Sequence, residues 1–206
     1  MKKLAILLSG RGSNFLAIHG ATARRELDAE IAAVVSNRAD APGLQRAREL
    51  GLPAHLIDHK VYSSRQAHEE EVALVVDEAR ADFIALAGYM RMLSPELVAR
   101  YRNRIVNIHP SLLPSFPGVD AQGQAIAHGV KVSGCTVHFV YEMLDGGPII
   151  VQRAVEVRDD DTNETLAARI LVEEHKAYVE ALRRICSGTY RIEGRRVLFD
   201  RETVGR

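Results

Sequence analysis

Apolar runs alternate with amphipathic stretches through the first half of the chain. The apolar runs predict buried strands at 3–9, 31–35, 54–57, 82–87 and 105–108. The intervening stretches predict helices from the Gly-rich segment after the first strand to about residue 25, at 44–50, at 64–79 and just after Ser94-Pro95-Glu96. This alternation predicts an α/β fold: a mostly parallel sheet with helices on both faces.

The pattern changes after residue 108. Pro110, Pro114 and Pro117 predict a stiff loop. Two more strands, 134–140 and 148–157, follow, and a turn containing Asp145-Gly146-Gly147 joins them. A long helix from about residue 162 to 186 is the last predicted element.

The long helix carries a carboxylate among its apolar positions. Asp161 and Glu164 have the spacing of a capping box at its start. Glu174 falls on the apolar stripe formed by Leu166, Ile170, Ala177, Ala181 and Ile185. Either Glu174 points to the packed side, where it needs partners, or the stripe tilts and exposes it at the edge of a groove.

Composition narrows the function classes. The 206 residues, 47% of them hydrophobic, suit a single domain over 1–206. Because 27 basic and 27 acidic side chains balance, we expect small-molecule substrates and neither nucleic acid nor a membrane as partner. The first apolar run is too short for a signal peptide, and the two cysteines suit a reducing compartment, so we expect a cytoplasmic protein. His55 and His59 have no plausible third ligand, and we expect no metal.

The segment Ser9-Gly10-Arg11-Gly12-Ser13-Asn14 separates a predicted strand from a helix. Glycines allow close approach of the backbone to an anion, and the start of a helix offers unpaired N–H groups. A phosphate cradle is one interpretation. The other is an ordinary Gly-rich turn whose helix is capped by Ser or Asn.

Asn107 and His109 lie two residues apart near the end of a strand, so both side chains project to one face. In open α/β sheets ligands bind at this end of the strands. An amide can bond an oxyanion without titrating, and imidazole can exchange a proton near neutral pH. The alternative is a polar strand end satisfied by the proline loop. Asp145 is either a hairpin-turn residue or a carboxylate that favours the protonated form of His109, if the fold brings the two together.

Four motifs occur in a fixed order: Ser9–Asn14, Leu86-Ala87-Gly88-Tyr89-Met90-Arg91, Asn107-Ile108-His109-Pro110-Ser111-Leu112-Leu113-Pro114 and Leu144-Asp145-Gly146-Gly147-Pro148. Together they resemble the folate-dependent formyltransferases, specifically the phosphoribosylglycinamide formyltransferases of purine synthesis, from about residue 3 to 186. The resemblance implies a Rossmann-like, phosphate-binding half (about 1–105) and a catalytic and folate-binding half (about 106–206).

The resemblance also implies roles for single residues. Asn107, His109 and Asp145 would be catalytic. Gly12, Ser13 and Asn14 would bind the substrate phosphate, and Glu174 the ribose hydroxyls. The residues expected to contact the folate are Arg65, Met90, Arg91, Met92, Leu93, Asn107, Tyr141, Glu142, Met143, Leu144 and Asp145.

The implied reaction moves a formyl group from 10-formyltetrahydrofolate, a co-substrate, to the amine of 5-phosphoribosylglycinamide in de novo purine (IMP) biosynthesis. Asn107 and protonated His109 would stabilise the tetrahedral intermediate, and Asp145 with a water would move the proton. Alternatives are a formyltetrahydrofolate hydrolase, a methionyl-tRNA formyltransferase or a non-catalytic nucleotide-binding module. The resemblance leaves open whether the protein is a monomer or a homodimer.

One position departs from the family pattern. Relatives carry histidine after Pro-Gly-x, whereas this chain has Asp120. Because an acceptor replaces a donor there, any auxiliary binding role of that histidine is in doubt, while the catalytic set is unaffected.

Overall fold

Helices cover both faces of one sheet in this computed structural model, which describes residues 1–200. The strands are β1 (Lys2–Leu8), β2 (Ala29–Ser36), β3 (Ala54–Leu56), β4 (Phe83–Leu86), β5 (Ile105–His109), β6 (Val132–Phe139), β7 (Ile149–Glu156), β8 (Tyr190–Glu193) and β9 (Arg196–Phe199). The helices are α1 (Ser13–Ala23), α2 (Pro42–Glu49), α3 (Arg65–Glu78), α4 (Pro95–Arg100), α5 (Ala121–Ala127) and α6 (Asn163–Ser187), with a 3-10 turn at His59–Val61.

The sheet has the strand order β3-β2-β1-β4-β5-β6-β7-β9-β8. The first five strands of this order are parallel, and β6 and β7 continue the sheet in antiparallel fashion. The predicted fold class is confirmed. Because β1, β4 and β5 are parallel neighbours, the loops that follow them meet at one edge, where ligands bind in such sheets.

Side-chain alternation divides β1 between two layers of core. Leu4, Ile6 and Leu8 pack with residues of α1, α2 and α6 on one face. Ala5 and Leu7 pack with residues of α3 and α4 on the other. A strand buried on both faces has no polar positions, which explains the continuous apolar run at the start of the sequence.

Most predicted elements occur with bounds shifted by a few residues, but the predicted capping box is wrong. Thr162 and Thr165 form the box at the start of α6, since each side chain bonds the backbone N–H of the other. Asp161 instead accepts from the Arg158 N–H at 2.8 Å and pairs with Arg169. Threonine has both a donor and an acceptor, so a Thr-Thr pair can replace the usual Ser/Thr and Glu.

Sequence reasoning missed α5 and the β8–β9 hairpin. The α5 segment contains Gly123, a poor helix former, and Asp120 caps it from a left-handed conformation with φ 54°. The hairpin turns at Gly194, with φ 59°. No helix among residues 1–200 is long and apolar enough to cross a membrane. The division into halves stays a prediction, and residues 201–206 of the second half lie outside the described residues.

Candidate active site

Asn107 and His109 occupy the carboxyl end of β5, as the strand periodicity predicted. His109 is 5% exposed, and its Nε2 lies 2.8 Å from the carbonyl oxygen of Phe116. A carbonyl only accepts, so Nε2 carries a hydrogen. The proline loop therefore satisfies one ring nitrogen of His109, as expected if this were only a polar strand end. The other ring nitrogen, Nδ1, does not face the proline loop.

Asp145 approaches that second nitrogen. Its Oδ2 lies 3.4 Å from His109 Nδ1 and accepts the Gly118 N–H at 2.8 Å. Asp145 stands in the loop 140–148 between β6 and β7 with φ 49°, a left-handed conformation that Asp tolerates better than most residues. With 8% of its side chain exposed, Asp145 is buried against His109 rather than placed at a solvent-facing hairpin tip.

His138 completes a cluster that sequence reasoning did not find. It lies opposite Asn107 in the antiparallel register of β5 and β6, and it is 2% exposed. Its Nε2 is 3.3 Å from Asn107 Nδ2 and 3.7 Å from Asp145 Oδ1. Thr136 and His138 alternate on β6 as Asn107 and His109 do on β5, but only the register shows that they share a face.

The hydrogen-bond geometry assigns a neutral tautomer to His138. Its Nδ1 lies 2.9 Å from the Phe139 carbonyl and so donates, which leaves Nε2 to accept from the Asn107 amide. Burial lowers the pKa of His138, which favours this uncharged form. Asn107 is thereby held by one of its two amide hydrogens, and the other remains available.

The Gly-rich segment forms an uncapped helix start. Gly12, with φ 75°, is the N-cap of α1, and no side chain caps this end of the helix. The alternative with a Ser or Asn cap is therefore excluded. Any other residue at position 12 would be strained by the positive φ, and its Cβ would lie only 3.0 Å from Gly43 Cα. The first N–H groups of α1 are left to bond an anion.

Glu174 points to the packed side of α6, one of the two orientations the sequence allowed. Its Oε2 accepts from Asn14 Nδ2 at 2.8 Å, and both side chains are buried. Burial raises the pKa of Glu174, and the Asn14 bond opposes that shift. Asn14 Oδ1 is buried and accepts no hydrogen bond from the part of the chain that the structure describes. The Asn14–Glu174 pair thus joins the start of α1 to α6, and Asn14 Oδ1 can still accept a hydrogen bond.

Apart from Asn107 on β5, the residues predicted to contact folate lie on three segments. Arg65 begins α3, residues 90–93 follow β4, and residues 141–145 follow β6. Apolar side chains on the two loops are largely exposed: Met90 is 81%, Met92 66%, Met143 68% and Leu144 53% exposed. Exposed apolar side chains grouped on loops are typical of a binding surface.

Two contacts fix the loop after β6. Tyr141 Oη donates to Asn103 Oδ1 at 2.7 Å, and Arg102 Nη1 lies 3.1 Å from Glu142 Oε1. Because the side chains of Tyr141 and Glu142 are engaged with the segment after α4, it is the backbone of this loop that remains for a ligand.

Asp120, the departure from the family pattern, has a structural partner. It accepts the Gly123 N–H at the start of α5 and the Asn163 side-chain amide at 2.8 Å. This carboxylate therefore links α5 to the first residue of α6.

The surface cavities outside the cluster around His109 include two beside charged side chains. One of about 510 Å³ opens where β1 and β4 begin, beside Lys2, Asp82 and Arg104. Another of about 460 Å³ adjoins Arg38, Asp58 and Lys60. The first lies at the amino ends of the parallel strands, opposite the edge at which such sheets bind ligands. Within residues 1–200 no group of three or more His, Cys, Asp or Glu side chains is arranged to hold a metal ion.

The formyl transferase family model matches residues 2–182, which covers every residue of the cluster. The fold and the site thus define the class: the chain belongs to the formyl transferase family.

Individual relatives narrow the class. The chain is 43% identical over 185 residues to phosphoribosylglycinamide formyltransferase of Bacillus subtilis, which covers 90% of this chain and 95% of that one. It is 48% identical, with a TM-score of 0.94, to the crystal structure of glycinamide ribonucleotide transformylase 1 from Symbiobacterium toebii, covering 97% of this chain and 94% of that chain. Within the family, the chain is a member of the phosphoribosylglycinamide formyltransferases.

Some relatives are much longer. The chain is 45% identical over 190 residues to the trifunctional purine biosynthetic protein adenosine-3 of Gallus gallus. It spans only 19% of that protein's length, although the match covers 92% of this chain. In such relatives, a segment like this chain is one part of a larger protein.

Proposed function

We propose that this protein transfers a formyl group from 10-formyltetrahydrofolate to the amine of 5-phosphoribosylglycinamide, a step of de novo purine synthesis, in the cytoplasm. The observation that carries the proposal is the approach of Asp145 Oδ2 to within 3.4 Å of His109 Nδ1, with Asn107 on the same strand end. Burying a carboxylate costs free energy, and buried carboxylates beside an imidazole are concentrated at functional sites.

The ribonucleotide phosphate binds at the uncapped start of α1. Gly12, Ser13 and Asn14 supply N–H groups and side-chain donors there, and the helix dipole favours a negative charge. Glu174, held by Asn14, accepts from the ribose hydroxyls. This arrangement explains why a carboxylate occupies the apolar stripe of α6.

The folate binds between the loops after β4 and β6. The apolar side chains of Met90, Met92, Met143 and Leu144 cover its rings, and backbone groups of 141–145 bond the pterin. Because Met90 and Met92 precede residue 105, the folate site draws on both of the proposed halves, whereas Asn107, His109 and Asp145 all belong to the second.

The chain's side chains stabilise charge as the amine attacks. The glycinamide nitrogen forms a bond to the formyl carbon, and the formyl oxygen becomes negative. Asn107 has an amide hydrogen left for that oxygen. The Nδ1–Oδ2 separation of 3.4 Å exceeds a normal N–H···O bond, so the Nδ1–H of protonated His109 is not committed to Asp145 and is the second donor for the formyl oxygen. Each well-placed donor is worth roughly 3–4 kcal/mol.

Asp145 then moves the proton. Its Oδ2 accepts the Gly118 N–H, whereas Oδ1 lies 3.7 Å from the nearest His138 nitrogen, too far for a hydrogen bond. Oδ1 therefore accepts the proton lost by the attacking nitrogen, through a water, and returns it to N10 of the folate as the carbon–nitrogen bond breaks. The products are the formylated amine and tetrahydrofolate.

The test is release of tetrahydrofolate, followed by absorbance, with and without the ribonucleotide. Turnover only with 5-phosphoribosylglycinamide supports the transferase. Turnover without any acceptor indicates the hydrolase, and no turnover under either condition favours the non-catalytic nucleotide-binding module.

A further inference from the structure

The segment between β4 and α4 is fixed at two points. At one end, the Met90 N–H donates to Ser9 Oγ at 2.8 Å. At the other end, the Ser94 N–H donates to Glu69 Oε1 at 2.9 Å. Between these bonds, Met90–Leu93 presents the side chains that face the proposed folate site.

Glu69 also contacts a second part of that site. The same Oε1 accepts from Arg65 Nε at 3.2 Å, one helical turn away on α3. Within residues 1–200, neither Nη atom of Arg65 donates to a partner, and 42% of this side chain is exposed. Because only Nε bonds Glu69, the two Nη atoms of Arg65 point away from Glu69. They can bind a carboxylate with two hydrogen bonds.

The charge of Glu69 is not explained by helix capping. Ser94 needs one acceptor for its N–H, and a neutral side chain supplies that. Glu69 is 6% exposed, and its Oε2 is buried with no hydrogen-bond partner among residues 1–200. Keeping a charged carboxylate there is unfavourable unless a cation compensates it, and Arg65 is the cation it contacts.

We propose that Glu69 is a positioning residue for folate binding, which aligns the Arg65 guanidinium and the Met90–Leu93 segment through one carboxylate oxygen. The ligand group that this arrangement takes is a carboxylate of the folate, bound by the outer nitrogens of Arg65. The inference rests on the proposed function, specifically on Arg65 as a folate contact.

The experiment compares Glu69→Gln with Glu70→Gln in steady-state assays and in thermal unfolding. Gln at position 69 keeps an acceptor for Ser94 but loses the charge that holds Arg65. We expect the KM for 10-formyltetrahydrofolate to rise about tenfold, with kcat and the ribonucleotide KM within about twofold of the unaltered protein, as expected for loss of a charge-assisted bond. Glu70, an exposed residue of α3 that bonds Gln66, is the matched control and should change none of these values.

A double-mutant cycle separates this inference from the proposed function. If Glu69 acts through Arg65, Arg65→Ala and the double variant Arg65→Ala/Glu69→Gln have the same folate KM. A raised KM for Arg65→Ala with an unchanged KM for Glu69→Gln overturns the positioning role alone. An unchanged KM for Arg65→Ala overturns the folate contact and the inference together.

A measurement on the unaltered protein covers the case in which Glu69→Gln does not fold. In protein labelled with 15N-arginine, the Arg65 Nε–H should exchange slowly with solvent, and its signal should shift little on folate binding while the Nη signals shift. Exchange of this Nε–H as fast as that of exposed arginines contradicts the role of Glu69.

Discussion

His109 Nδ1 lies 3.4 Å from Asp145 Oδ2, although one residue ends β5 and the other stands in the loop after β6. The Gly118 N–H bonds the same carboxylate oxygen at 2.8 Å and fixes its direction. The proline loop thus holds both partners, because its Phe116 carbonyl also accepts from His109 Nε2. Both ring nitrogens of His109 therefore face hydrogen-bond acceptors, one from the proline loop and one from Asp145.

Replacing His109 by alanine should lower kcat by about 10²–10³-fold, because a donor that acts mainly on the transition state is lost. The ribonucleotide dissociation constant should change only a few-fold, since the phosphate site lies at α1. Steady-state kinetics and calorimetric titration measure the two quantities. His55→Ala, on the edge strand β3, is the control. Near-normal turnover of His109→Ala would remove this residue from the mechanism.

His138 should act through Asn107. His138→Ala removes the acceptor that holds the Asn107 amide, so we expect kcat to fall by roughly tenfold, with little change in either KM. The buried, uncharged His138 also predicts a pH dependence of stability. Because burial lowers the folded-state pKa of His138, the stability contributed by this side chain is present above the unfolded-state pKa and is lost as pH falls through the folded-state pKa. Thermal unfolding of the alanine variant should therefore depend less on pH below about 6.5. Equal pH dependence in both proteins would contradict the neutral assignment.

Ser13→Ala should weaken ribonucleotide binding and leave the folate KM unchanged. The hydroxyl stands on the first residue of the uncapped α1, where an anion gains from the backbone N–H groups. Loss of one bond to a charged group predicts a dissociation constant raised about tenfold. A substrate analogue without the phosphate should bind both proteins equally. An unchanged affinity for the phosphorylated substrate would place the phosphate elsewhere.

Glu174→Gln should stabilise the fold and weaken substrate binding. Burial raises the folded-state pKa of Glu174 above its ordinary 4.5, so its contribution to stability is fully present below that value and is lost as pH rises through the raised pKa. Gln keeps an acceptor for Asn14 without the charge. The variant should therefore melt at a higher temperature at pH 7 and at nearly the same temperature at pH 4. A lower melting temperature at pH 7 would show that the charge stabilises the fold.

The fold was largely predictable because its central strands are buried on both faces. The short, continuous apolar runs around Leu4 and Ile84 are typical of buried strands, whereas Tyr190–Phe199 forms an edge hairpin with half-buried positions and gives a weak signal. The α5 helix was missed because it is only 7 residues long and Gly123 lowers its helical propensity.

The site residues that could be predicted are those whose orientation depends on a single strand or helix. Asn107 and His109 share a face because a strand has a period of two, and Glu174 was recognisable as a polar residue on an apolar stripe. His138 and Asp145 join them through strand register and loop path, which no local pattern encodes. The Thr162–Thr165 box was missed because the preceding Asp161–Glu164 pair has the same spacing.

The central claim is that Asp145 has two catalytic roles: it supports His109, and it carries the proton from the attacking nitrogen to the folate. Its most direct test is the single-turnover rate of formyl transfer to 5-phosphoribosylglycinamide by Asp145→Asn. Asn is nearly isosteric but cannot accept the proton or balance an imidazolium, so the rate should fall by about 10²-fold or more, with ribonucleotide affinity within a few-fold. A single-turnover rate close to that of the unaltered protein would contradict the account.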